Sequence, residues 1–185
     1  MNLSSGRESL PPAMSLLGRD AERAQELAGG VPARAIRPVT VSVAVPNSRE
    51  EVYDFLDVLA NHEPFTNHMM VDWHYSGPRC GVGARARMRL KKPGKTDWMD
   101  MEVVEAHPPT GSTEETVSAH GRRRTRGTYR LEELPGGGTR ISFEFAWLRV
   151  PLVERVASPI IRAVVRRGNE RSLERLAERL SQRPA

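Results

Sequence analysis

The stretch Ser158–Leu180 reads SPIIRAVVRRGNERSLERLAERL, and its spacing decides the fold. Ser158 can cap a first helical turn, and Pro159 follows where no backbone donor is required. Apolar or small residues then recur at Ile160, Ile161, Val164, Val165, Gly168, Ser172, Leu173, Leu176 and Leu180, close to a 3.6-residue period. Arg167/Glu170, Arg171/Glu174 and Arg175/Glu178 occupy the other side at a spacing that supports a solvated helical face. At about 1.5 Å per residue such a helix is roughly 34 Å long. One apolar stripe of that length needs a broad surface to lie on.

The rest of the chain supplies that surface as strands. VTVSVAV alternates Val39, Val41, Val43 and Val45 with small or polar residues, and Pro46 stops it. Asn47 or Ser48, with Glu50 or Glu51, then forms a capping box for a helix carrying Val52, Phe55, Leu56 and Leu59. An irregular segment, NHEPFTNH, follows, with room for a short helical turn near 62–68. From Met69 onward the period is two. MVDWHY sets Val71, Trp73 and Tyr75 on one face. ARARMRLK sets Ala84, Ala86, Met88 and Leu90 against Arg85, Arg87, Arg89 and Lys91. WMDMEVVEA sets Met99, Met101 and Val103 against Asp100 and Glu102. The arginine and acidic faces of these last two strands are expected to pair across a hairpin turning at KPGK. Strands near 113–119 and 125–134 come next, the second holding Tyr129 and Leu131. TRISFEFAWLRV closes the series with Ile141, Phe143, Phe145 and Trp147 on one face, and LVERVA makes a helical turn into the long helix. For the strand near 113–119, a one-residue slip exchanges Glu115 and Val117 for Thr116 and Ser118 on the inner face, and the sequence leaves that choice open.

Composition bounds the function. The chain has 185 residues, 38% of them apolar, with a mean hydropathy of −0.50. That suits one domain with a real core, and no apolar run approaches the ~18 residues of a membrane span. The N-terminus lacks the pattern of a secretory leader, so a cytoplasmic protein is expected. One cysteine, Cys80, excludes a disulfide framework. The net charge of +5 rests on arginine, with Lys91, Lys92 and Lys95 the only lysines. The dense run GRRRTRG at 121–127 has no interleaved aromatic, so it reads as a solvated hairpin tip and not as a nucleic-acid surface. Residues 1–36, rich in Ser, Gly, Pro and Ala, read as a flexible arm with a short helix near 19–28, and residues 37–182 as the folded domain.

The VTVSVAVPNSREEVYDFL opening, the GGGTRISFEFAW strand and the SPIIRAVVRRGNERSLERL terminal helix together resemble the START-like (SRPBCC) superfamily, in its polyketide cyclase/dehydrase and lipid-transport branch. The resemblance spans roughly residues 38–181. It implies an α+β helix-grip fold of the Bet v 1/START type, a curved antiparallel sheet of six or seven strands wrapped on a long C-terminal helix. It also implies a cavity between them for a small hydrophobic ligand such as a lipid or polyketide. Members bind or carry, some are aromatases or cyclases, and a few sequester a reactive natural product as self-resistance; there is no shared catalytic motif.

Candidate ligand contacts follow from the inward strand faces and the helix stripe: Trp73, Tyr75, Met88, Met99, Met101, Tyr129, Phe143, Phe145, Trp147, Ile161, Val164, Gly168 and Ser172. Methionines suit an adaptable wall. Gly168 stands out because a mid-helix glycine costs ~1 kcal/mol relative to alanine, so it either admits a close neighbour or leaves room for a ligand. With Ser172 it marks the expected roof of a pocket. Tyr129, His68 and His120 are the candidate proton-transfer groups. The histidine spacings match no metal motif, so no metal or cofactor is expected. The partner expected is a small hydrophobic ligand; a transient membrane contact is compatible with the sequence, and the oligomeric state is not encoded in these patterns.

Overall fold

The computed structural model describes residues 31–32, 36–91, 97–151 and 158–182. The sequence-based helix near 19–28, the turn at 92–95 and the helical turn at 152–157 fall outside them. The described strands are β1 (Val31–Pro32), β2 (Val39–Val45), β3 (Met70–Ser76), β4 (Arg85–Leu90), β5 (Asp97–His107), β6 (Gly111–Ser118), β7 (Arg123–Glu133) and β8 (Thr139–Val150). Helices α1 (Arg49–Leu56) and α2 (Glu63–Thr66), bridged by a 3-10 turn at Leu59–Asn61, lie between β2 and β3, and α3 (Ser158–Ser181) follows β8. Every pairing is antiparallel, in the order β1-β8-β7-β6-β5-β4-β3, with β2 also on β8. This is the helix-grip arrangement: seven long strands and the two-residue β1, curved around one long helix. β1 pairs Val31 with Val150, and the Ile36 side chain is buried.

The local reasons are those the chain advertises. Ser48 caps α1, its Oγ accepting from the Glu51 amide at 3.2 Å while the Glu51 carboxylate accepts from the Ser48 amide at 3.0 Å. That arrangement satisfies two otherwise orphaned donors. The outer faces of β4 and β5 pair Arg85 with Glu102 at 3.1 Å and Arg87 with Asp100 at 3.7 Å, while Arg87 and Arg89 flank the Trp98 ring. Such exposed pairs fix register more than they add stability.

The core has two parts. The larger joins Val39, Val41, Phe55, Leu56, Phe65, Tyr129 and Ile141 to Leu173, Leu176 and Leu180 of α3. The smaller gathers Leu59, Ala84, Ala86, Met88, Met99, Met101 and Val103. The C-terminal half of α3 is fully gripped, while Ile161 and Val165 of the first half pack on the larger core only partly buried. In its first two turns Ile160 and Val164 are 71% and 67% exposed.

Two strands decide which of the sequence-based faces point inward. In β3 the register shifts between Val71 and His74, with Asp72 at φ 56°. This bulge turns Val71 outward opposite Arg89 while Trp73 stays inward, so Val71 does not share the face of Trp73 as alternation implies. In β6 the cross-strand partners settle the open register. Thr116 opposes Met101 and Thr125, and Ser118 opposes Met99 and Arg123, which places both inside and sends Glu115 and Val117 outside.

Candidate ligand cavity

The first half of α3 holds the Arg37 carbonyl through Arg162 at 3.0 Å and rests Ile161 and Val165 on the larger core, and beside these contacts lies a cavity of about 360 Å³. Its roof is Ile160, Ile161, Val164, Val165 and Asn169; its opposite wall is Phe143, Phe145 and Trp147 of β8 with Met99 and Met101 of β5. Met69, Met70 and Leu90 close one side. Phe145 and Trp147 meet edge to face at 4.9 Å, which holds two large apolar surfaces in fixed orientation. A cavity of ~150 Å³ with similar lining accepts benzene, so this one has room for a two-ring body.

β6 and β7 add a polar strip: Glu114, Thr116, Ser118, Arg123 and Thr125. Arg123 is already engaged, its guanidinium donating to Asp97 at 2.9 Å and to the Ser118 hydroxyl at 3.0 Å. Glu114 is different. Its side chain is 12% exposed, and the His62 imidazole stands across from it, with Glu114 Oε2 3.9 Å from His62 Nδ1. His62 Nε2 lies 2.8 Å from the Leu56 carbonyl and donates to it, so Nδ1 presents a lone pair to Glu114. Burial pushes the Glu114 carboxyl up to about 7 and the His62 imidazole down to about 4. Burial thus favours the neutral form of each, His62 across the neutral range and Glu114 below about pH 7. Behind them Tyr129 is buried against Phe143 at 4.6 Å and edge-on to His62 at 5.8 Å, its phenol raised by burial and by the Glu114 charge.

Gly127 makes this geometry fit. It sits beside Glu114 in the β6–β7 ladder, and a Cβ there would lie 2.8 Å from Glu114 Oε1 and 2.9 Å from the Phe143 ring. Only glycine leaves the carboxyl and the ring their places.

The structure brings together Met99, Met101, Phe143, Phe145, Trp147, Ile161 and Val164 from the sequence-based set. The others lie elsewhere. Met88 is wholly buried in the smaller core, where Trp73 packs beside it. Tyr75 is 43% exposed, with its hydroxyl donating to Glu63 at 3.0 Å. Tyr129 belongs to the larger core. Gly168 is not a gap: the Met69 thioether occupies the space a Cβ would take, and the Ser172 hydroxyl donates to the Gly168 carbonyl at 3.2 Å. The roof therefore runs from Ile160 to Asn169, ending beside Gly168 and short of Ser172.

His68 donates from Nε2 to the Gly168 carbonyl at 3.2 Å and accepts at Nδ1 from Arg175 at 3.3 Å. It tethers α3 to the loop before β3, and burial, reinforced by Arg175 and Arg171, lowers its pKa. His120 is exposed in the turn after β6. The arginine run is split by the strand: Arg124 and Arg126 both hold Glu115 on the outer face, at 2.5 and 2.6 Å. Among the described residues no cluster of His, Cys, Asp and Glu could hold a metal ion, and no helix is long and apolar enough to cross a membrane.

Glu114, Asn169 and Gly127 escaped the sequence reading. Parity was the available signal for the first: once Thr116 and Ser118 face inward, Glu114 must as well.

The family model described as polyketide cyclase/dehydrase and lipid transport matches residues 37–181. The chain belongs to that family. Among solved structures, the Zhui aromatase/cyclase from Streptomyces sp. R1128 superposes with a TM-score of 0.65 at 13% identity, over 80% of this chain and 95% of that one. A protein from Thermus thermophilus gives 0.62 at 20% identity, over 78% and 97%. DynU16, from the dynemicin biosynthetic locus, gives 0.54 at 20% identity, over 78% of this chain and 47% of that one. Identities this low carry the fold of the family and not an activity. Among curated proteins no match to the sequence is found.

Proposed function

We propose that this family member binds, and thereby carries, a small hydrophobic ligand of lipid or polyketide type in the cavity between the sheet and the first half of α3. The observation that carries the reading is the roughly 360 Å³ space walled by Phe143, Phe145, Trp147, Ile161 and Val165. A filled core would not leave such walls facing open volume, and the exposed Ile160 and Val164 at its rim give an apolar ligand a continuous path inward. The test is fluorescence titration with N-phenyl-1-naphthylamine. Saturable micromolar binding is expected, and Val164→Trp, at a largely exposed position, should abolish it without unfolding the protein. Absence of saturable binding in the unaltered protein refutes the reading.

One observation favours a second reading, polyketide cyclase or aromatase chemistry. Glu114 holds a proton near neutral pH at the cavity wall, which suits a general acid toward a ligand carbonyl. Turnover of a poly-β-ketone that is lost in Glu114→Gln supports it, and turnover unaffected by that change removes Glu114 from the role.

A further inference from the structure

Ile160 and Val164 are left largely open to solvent on the first two turns of α3. They are continuous with the apolar cavity walls, so the open surface is one patch and not two scattered side chains. With Arg167 and Arg171 they follow the spacing i, i+4, i+7 and i+11, so apolar residues and then cations occupy one line along the exposed side of the helix. Arg166 pairs with Glu170 at 3.9 Å, whereas Arg167 and Arg171 make no ion pair with a carboxylate among the described residues. Two aliphatic side chains fall far short of the ~800 Å² per partner that a free-standing complex needs. A tethered segment escapes that requirement, because its effective concentration is on the order of millimolar.

The chain itself holds such a segment, and its described part starts beside this rim. β1 pairs Val31 with Val150, three residues beyond the cavity wall at Trp147, and the Arg37 carbonyl accepts from Arg162 of α3 at 3.0 Å. Ahead of Val31 the sequence over 13–30 reads AMSLLGRDAERAQELAGG. Met14, Leu16 and Leu17 come first, and Asp20, Glu22 and Glu26 follow with only Arg19 and Arg23 against them. Apolar then acidic is the complement, in the same order, of apolar then basic on α3. The fourteen-residue step from Leu17 to Val31 spans up to about 46 Å, while the eight-residue step from Val150 to Ser158 spans at most about 26 Å, so reach is ample.

We propose that residues 14–27 of this chain lie along the exposed side of α3 and cover the cavity rim. Met14, Leu16 and Leu17 rest on Ile160 and Val164, and the acidic residues stand beside Arg167 and Arg171. A ligand entering at that rim displaces the segment, which makes it a built-in competitor. The contact does not require the binding reading above; its effect on ligand affinity does.

The test uses the full chain with Cys80→Ser, which removes the exposed native thiol. Ser15→Cys places a thiol among the apolar residues of the segment. Its partner is Ala163→Cys, on the exposed side of α3, or Val117→Cys, on the outer face of β6, as the control. Under mild oxidation the 15–163 disulfide is expected to form within one chain about tenfold faster than the 15–117 disulfide. Adding Leu16→Glu and Leu17→Glu should bring the two rates together. It should also tighten N-phenyl-1-naphthylamine binding by about tenfold, as for a site freed from a competitor that covers it about nine-tenths of the time. Equal rates for the two pairs before that change overturn the inference, and an unchanged probe affinity after it overturns the competitor role. Disulfides that join two chains give the rim to a second copy, and retention on phosphatidylglycerol vesicles that Val164→Glu abolishes gives it to a membrane; either result overturns the inference. All of these leave the binding reading standing, whereas an unaltered chain that binds no probe overturns that reading and leaves the cross-link result intact.

Discussion

Replacing Glu114 with glutamine is expected to stabilise the protein at alkaline pH and to change little at acid pH. A carboxyl in the unfolded chain titrates near its ordinary value of 4.5, whereas burial beside His62 and Tyr129 raises Glu114 to about 7 in the fold. With the folded value above the unfolded one, the carboxyl is fully compatible with folding below pH 4.5. Its contribution is lost as pH rises through 7, because the unfolded chain releases the proton first. At about 1.4 kcal/mol per pH unit, the gap between the two values amounts to about 3 kcal/mol above pH 7. For a domain of this size that is a rise of roughly 6–12 °C in Tm for the glutamine variant at pH 8. The assay is urea denaturation of both proteins at pH 5 and pH 8 and constant ionic strength. Any fixed repacking effect of the amide cancels when the two differences are compared. His62, lowered to about 4 by burial, acts with the opposite sign. Its contribution is present above 6.5 and lost as pH falls through 4, and it is common to both proteins. A Glu114→Gln difference that is the same at the two pH values, or larger at pH 5, refutes the account of a buried neutral carboxyl.

Three further outcomes follow from the packing. Gly127→Ala should cost about 1–3 kcal/mol and weaken probe binding, since the new methyl displaces Glu114 and the Phe143 ring together; denaturant midpoint and probe titration read the two effects on one sample. Leu176→Ala, at a wholly buried position in the gripped half of α3, should cost about 2–5 kcal/mol. Val164→Trp should change stability by less than about 0.5 kcal/mol in the same melt while closing the cavity rim.

The architecture was legible because its signals are periodic and redundant. β8 alternates four large apolar residues with polar ones, α3 repeats its stripe over six turns, and Ser48 with Glu51 marks the start of α1 by chemistry alone. The site was less legible because a cavity depends on where faces fail to meet. The stripe of α3 reads as uniform, yet Leu173, Leu176 and Leu180 are fully buried, Ile161 and Val165 only partly, and Ile160 and Val164 are left at a rim. Gly168 reads as open space until the side chain that fills it, Met69, arrives from about a hundred residues earlier in the chain. In β6 the pattern misleads outright: its one large apolar residue, Val117, faces outward, and the inner face is Glu114, Thr116 and Ser118. Alternation also cannot foresee the bulge at Asp72 that turns Val71 away from Trp73.

The methionines offer the most direct test of a cavity under the first half of α3. Met69, Met70, Met99 and Met101 line it, whereas Met88 is wholly buried in the smaller core outside the lining. With 13C-methyl-methionine labelling, titration of 2-acetylnaphthalene should move the Met70, Met99 and Met101 methyl signals by ring-current shifts and leave Met88 nearly still. Shifts at Met88 in place of these three, or no shift at any of them at saturating probe, would contradict the claim that the ligand lies between sheet and helix.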